Sequence, residues 1–250
     1  MNDAAHIGDC LFPVSLPEGA TILVKEGDSV FKKDVLAVKE EEEFKEINLP
    51  RVSLLVSPGE RVEKDQVIAH KKGFFGKEMV FKSPVPGIFS GVSKNGLVRI
   101  KIKEEKTEIY APFSGEVKEI KDSFLLLKFK AAVLKGDWGS GPKEAGAIEI
   151  LGERDEDGEL SDILPEHSGK ILVVGGRIFL GVAHKAEAMG VKGMIAGSAP
   201  REAWVGDLPI LVFADKEGLI PKEIWLGLKK EKGREVCISG EGKSLYFPLK

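Results

Sequence analysis

Between Leu54 and Ile102, apolar positions come in short runs, each cut off by a turn residue. The interruptions are Pro58-Gly59, Gly73, Gly76, Pro84, Pro86-Gly87 and Asn95-Gly96. Such spacing leaves no room for helices and favours short strands joined by tight turns. Val98-Arg99-Ile100-Lys101-Ile102 alternates apolar and charged positions after an Asn-Gly step that suits a turn with positive φ, the pattern of a half-buried strand leaving a hairpin. Gly59 and Gly87 fall where a strand must bend sharply, which a residue without Cβ does at little cost. The expected product is a small, strongly curved β-barrel or sandwich.

The same pattern occurs twice. Val24 to Ala37 laid over Val56 to Ala69, an offset of 32, matches Val24/Val56, Gly27/Gly59, Val30/Val62, Lys32/Lys64, Val35/Val67 and Ala37/Ala69. Identity at these apolar columns and at the turn glycine points to one supersecondary unit used twice. A second repeat, offset by 28, pairs Ser83-Pro84-Val85-Pro86-Gly87-Ile88-Phe89 with Ala111-Pro112-Phe113-Ser114-Gly115-Glu116-Val117. The order along the chain predicts nesting: an inner module over 51–103, and an outer one over 1–50 plus 104–152. Glu40-Glu41-Glu42-Glu43, between the first two copies, reads as a solvated helical turn or loop.

The order V-x-x-G-x-x-V-x-K-x-x-V-x-A, then a hairpin, then S-P-x-x-G-x-F resembles the barrel-sandwich hybrid of biotinyl and lipoyl domains, whose relatives occur in electron-transport subunits and membrane-fusion adaptors. By pattern the resemblance spans about Val14 to Phe129. It implies the fold rather than an activity. Carriers of that family modify a lysine at a hairpin tip. The nearest equivalent is Lys77, but Phe74-Phe75 and the missing flanking pattern argue against a carrier, so no cofactor is expected. Phe74 and Phe75 are expected instead to dock a partner or to pack back onto the barrel.

After Phe124-Leu125-Leu126-Leu127-Lys128-Phe129, an apolar strand, comes a loop with close glycines around Trp138. Trp138 is expected either to anchor a partner or to plug a barrel end. Residues 153–169, charged and Gly-bounded at first, read as a linker. From 170 to 250 the periodicity changes. Lys170 to Val174, Val191 to Ala196 and Leu208 to Ala214 read as strands. Ile178, Val182, Ala186 and Met189 form a helical stripe closed by Gly190, and a helix from Pro221 carries Ile224, Trp225 and Leu228. Strand-helix alternation predicts a small α/β domain with a mainly parallel sheet. This half resembles small regulatory or swivelling domains, and the C-terminal part of an uncharacterised bacterial family that joins such a domain to barrel-sandwich repeats. The expected fold class is therefore mixed: nested all-β modules followed by α/β.

Composition narrows the function classes. A net charge of −3 and a pI near 5.9 supply no bulk basic field for nucleic acid or acidic lipid. Cys10 and Cys237 lie far apart, as in a reducing compartment. No apolar run approaches the roughly 20 residues that span a bilayer, and the N-terminus lacks a signal pattern; a cytoplasmic protein is expected. Scarce Gln and Asn beside abundant Lys and Glu fit a thermophilic source. His6, His70, His167 and His184 show no metal spacing, and no metal is expected.

Three functional expectations follow. The first is a non-catalytic intracellular binding or assembly protein with a protein partner, docking through Trp138, Phe74 and Phe75. The second is an enzyme or phosphotransfer component, with an anion held by the backbone of Gly175-Gly176-Arg177 after the first α/β strand. The third is an RNA binder, since Gly115 to Ile120 resembles a KOW-type element with Lys118, Lys121, Lys128 and Lys130 nearby.

Overall fold

The computed structural model describes residues 6–49, 52–72, 78–200 and 206–249. The strands begin with β1 (His6–Ser15), β2 (Thr21–Ile22), β3 (Ser29–Val30) and β4 (Val35–Asn48). Next come β5 (Ser53–Leu54), β6 (Arg61–Val62), β7 (Val67–Lys72), β8 (Glu78–Lys82), β9 (Gly87–Val92) and β10 (Leu97–Tyr110). They continue as β11 (Gly115–Ile120), β12 (Phe124–Lys135), β13 (Trp138–Ser140) and β14 (Lys143–Leu151). The last stretch holds β15 (Lys170–Arg177), α1 (Leu180–Ala188), β16 (Gly193–Ser198), β17 (Ile210–Val212), α2 (Lys222–Lys230), β18 (Glu235–Ser239) and β19 (Ser244–Pro248). The chain is mostly β, with a mixed sheet that includes parallel strands.

Two compact units form. One takes the chain up to Leu16, Val24–Asp34 and everything from Tyr110 onward; the other takes Pro17–Leu23 and Val35–Ile109. The repeated sequence is repeated in hydrogen bonds. In the first unit Gly27 N–H donates to Val117 O at 2.8 Å, and Val117 N–H returns to Asp28 O at 2.9 Å. In the second, Gly59 N–H donates to Phe89 O and Phe89 N–H to Glu60 O, both at 2.8 Å. Further on, Lys33 and Ala111 N–H donate to Ala111 O and Asp34 O, while Asp65 and Ser83 N–H donate to Ser83 O and Gln66 O, all at 2.8 Å.

The turns match too. Gly27 and Gly59 both have φ of 90°, and Lys33 and Asp65 have φ of 73° and 66°. Each turn is closed by a side chain three residues on: Asp28 accepts from Lys25 N–H and Glu60 from Ser57 N–H, Asp34 from Phe31 N–H and Gln66 from Glu63 N–H, at 2.7–3.0 Å. The first copy thus pairs with the last, and the second with the third.

Gly87 and Gly115, equivalent in the second repeat, explain themselves by close approach. A Cβ on Gly87 would overlap the carbonyl oxygen of Lys101, and one on Gly115 that of Lys128.

Strands override two expectations in the second unit. Glu40 to Glu43 are not a turn or loop but the middle of β4, which neighbours β10 in a sheet ordered β2-β4-β10-β9-β6. Glutamates are tolerated there because this stretch is solvent-exposed and cations face it. Lys101 reaches Glu42 at 3.0 Å and Glu104 at 2.8 Å, and Arg99 reaches Glu46 at 3.5 Å. The second unit therefore differs from the inner module expected over 51–103: it also takes Pro17–Leu23 and the chain from Val35, including all of β4, and with β10 it runs past 103/104 to Ile109. A smaller sheet, β5-β7-β8, completes this unit around Val62, Ile68, Phe89, Val98 and Ile100.

In the first unit one sheet runs β13-β17-β16-β15-β14-β18-β19-β12-β11-β3, with β1 on β12. β14 joins its two characters: its start pairs antiparallel with β18 and its end parallel with β15. β15, β16 and β17 are also parallel, as the strand-helix alternation predicts. Val182, Ala183 and Ala186 of α1 pack on one face over Leu172, Val174 and Met194. Trp225 and Leu228 of α2 pack on the other with Ile171, Val173, Ile195 and Phe247. Gly190 and Gly233 follow the helices with φ of 76° and 81°, as C-terminal stops require.

The Gly87 and Gly115 approaches give a direct test. Gly87→Ala and Gly115→Ala should each cost about 1–3 kcal/mol in urea unfolding, as overpacking does. Gly27→Ala and Gly59→Ala, where nothing lies within 4 Å of a Cβ, should cost only the left-handed strain, about 1–2 kcal/mol.

Candidate functional site

The carboxyl ends of parallel strands are where open α/β sheets bind ligands; Gly175-Gly176-Arg177, expected to follow the strand, are instead the last three residues of β15 itself, because Arg177 still pairs with Ser198 of β16. The charged segment expected to be a linker folds over it within the first unit. Gly176 N–H donates to Glu156 O at 2.9 Å, Arg177 N–H to the Asp157 carboxylate at 2.7 Å, and Gly158 N–H back to Arg177 O at 2.9 Å. A Cβ on Gly175 would overlap the backbone of Arg154, which is why glycine stands there. The amide of Arg177 already holds an anionic group, the chain's own carboxylate. The guanidinium of Arg177 lies 5.8 Å from the ring of Phe179 and is exposed.

A second tie holds that segment. Arg154 Nε donates to Ile220 O at 2.7 Å, and its Nη2 pairs with the Asp215 carboxylate. Asp215 also accepts from Glu217 and Leu219 N–H at 2.9 and 3.0 Å, and Ile220 N–H donates to Gly175 O at 2.8 Å. The Leu219 amide first, with the Glu217 amide and the Arg154 guanidinium, holds the Asp215 carboxyl below the usual carboxylate range. The one arginine inside the acidic run 153–159 was the available signal for this tie.

Trp138 is not on a free loop. It opens the edge strand β13, paired with Val212 of β17, and is half-buried against the α1-side core. Gly139 accounts for the close glycines: a Cβ there would overlap the carbonyl of Gly240. Phe74, Phe75 and Lys77 lie outside the described residues. The strands on either side of them do not. β8 is an edge strand, paired with β7 and with no second neighbour among the described residues. On it Met79 and Val80 are 53% and 55% exposed.

Three of the four lysines around the KOW-like stretch meet carboxylates. Lys118 meets Glu116 at 2.5 Å, Lys121 meets Glu119 at 3.0 Å and Lys128 meets Asp9 at 2.6 Å. His167 is buried, its Nδ1 accepting from Leu164 N–H at 3.2 Å, and His184 is half-exposed, 3.9 Å from Glu187. No metal-binding cluster and no helix long and apolar enough to cross a membrane occur among the described residues. Compared with protein-family profiles, curated proteins and solved structures, the chain matches none.

The depressed Asp215 carboxyl contributes stability above its unfolded value, near pH 4, and loses it as pH falls through its lower folded value. Asp215→Asn should therefore lower the urea midpoint at pH 7, and the gap from the parent protein should close as the pH drops below about 4.

Proposed function

We propose that the chain is a non-catalytic binding or assembly protein whose partner adds an extended segment to the β8 edge. The observation that carries this reading is the edge of β8, which has no second neighbour among the described residues, with Met79 and Val80 exposed on it. An edge strand offers a row of unused N–H and C=O groups, which an extended partner can complete while its side chains find apolar contact. Proteins commonly blunt such edges with charge or cover them. Here the charges, Glu78 and Lys82, stand only at the ends of the strand.

The test is capture by the immobilised full chain, with and without nuclease, for the parent protein and a Met79→Glu/Val80→Glu variant. Both positions are exposed, so stability should change by less than about 0.5 kcal/mol per site. A nuclease-resistant set of proteins lost in the variant is the expected result, with a photo-crosslinker at Val80 marking the partner strand. A set retained by the variant removes β8 as the surface. A set lost on nuclease treatment moves the reading to RNA.

A second reading has one observation in its favour: the Arg177 amide already holds a carboxylate. In it the end of β15 at Gly175-Gly176-Arg177 takes phosphate in place of Asp157. Phosphate should then shift the amide resonances of Gly176 and Arg177, and Asp157→Ala should strengthen that response. No shift in either protein removes this reading.

A further inference from the structure

The edge strand β8 is complementary to a reversed copy of itself. It runs Glu78, Met79, Val80, Phe81, Lys82. An acid opens the strand, a base ends it, and three apolar residues lie between. Two such strands set antiparallel about Val80 bring opposite charges together at both ends. Glu78 then faces Lys82 of the second copy, Met79 faces Phe81, and Val80 faces Val80. A parallel arrangement would set Glu78 against Glu78 and Lys82 against Lys82, which like charges disfavour.

The register on the covered side of β8 fits the antiparallel arrangement. Lys82 stands opposite Val67 of β7, so no carboxylate faces it across that pair. Glu78 stands opposite Lys72, and with Lys82 of the second copy on its other side it would lie between two cations. Side chains alternate along the strand. Met79 therefore shares a face with Phe81, which packs against the core of Val62, Ile68 and Phe89. Val80 shares the other face with Glu78 and Lys82. Antiparallel pairing lays the exposed Met79 beside Phe81 of the second copy and so extends the apolar surface that Phe81 begins.

We propose that the occupant of the β8 edge is β8 of a second copy of this chain, paired antiparallel about a twofold axis through Val80. The inference rests on the reading of β8 as the docking edge and names its partner. The three-stranded sheet of each copy, β5-β7-β8, continues through the axis into that of the other. A twofold axis uses the same patch on both copies, so each end pair and each apolar contact forms twice. Both open edges gain backbone partners in the same step.

The experiment is sedimentation equilibrium of the full chain over a range of concentrations. The parent protein should be a dimer that dissociates on dilution. Glu78→Lys sets two lysines against each other at both ends of the pair, and Lys82→Glu sets two glutamates. Each should weaken the dimer about tenfold. An equal mixture of these two variants restores opposite charges at both ends, as does the double variant Glu78→Lys/Lys82→Glu. Both should return the affinity to near the parent value. The substituted positions are exposed, so folding should survive the changes. A parent protein that stays monomeric overturns the inference; the β8 reading then still stands if capture finds a different protein that is lost with Met79→Glu/Val80→Glu. A dimer indifferent to the single variants, or one that the double variant fails to restore, also overturns the inference.

Discussion

The paired backbone hydrogen bonds that join Val24–Asp34 to Ala111–Val117, and Val56–Ala69 to Ser83–Phe89, are what the rest of the structure depends on. Each set closes a small curved β element from segments that are not adjacent in sequence. Strand pairing of this kind satisfies backbone groups that burial would otherwise leave unpaired. It also fixes where everything else must go. With the first copy committed to the last, the stretch between them can fold as a unit of its own. The chain after Val117 then continues from the first unit into its large sheet.

Glycine geometry makes the pairing possible. Gly27 and Gly59 supply positive φ at the turn, and Gly87 and Gly115 let one strand pass against the carbonyl of another. The carboxylates and the amide that close these turns from three residues on are interchangeable in role: Asp28 stands where Glu60 stands, Asp34 where Gln66 does. The β14 strand, antiparallel to β18 at one end and parallel to β15 at the other, carries the same sheet into the α/β half. The two helices cover that half from opposite faces.

The repeated turns and the α/β alternation were legible in the sequence because each leaves a local signature: glycine position, apolar period, or a change from one period to another. Glu40 to Glu43 lie in a strand against their sequence pattern because pairing with β10 outweighs the preference of a glutamate run, through Lys101 and Arg99 on the facing strand. Residues 153–159 looked like a linker because charge and glycine mark exposed chain. Their carboxylates and Arg154 instead satisfy groups that lie far off in sequence. The close glycines around Trp138 suggest a loop, because a three-residue strand has no period to show. The β8 edge is visible in the sequence only as a hairpin; that β7 is its single neighbour among the described residues is a property of sheet order.

The central claim is the nested pairing, and couplings through hydrogen bonds in the nuclear magnetic resonance spectrum of the full chain test it most directly. The account predicts couplings from Lys33 N–H to Ala111 C=O and from Asp65 N–H to Ser83 C=O, with matching partners at Gly27/Val117 and Gly59/Phe89. Couplings from Lys33 to Ser83 and from Asp65 to Ala111 would mean that the repeats pair in the alternative order, and would contradict it.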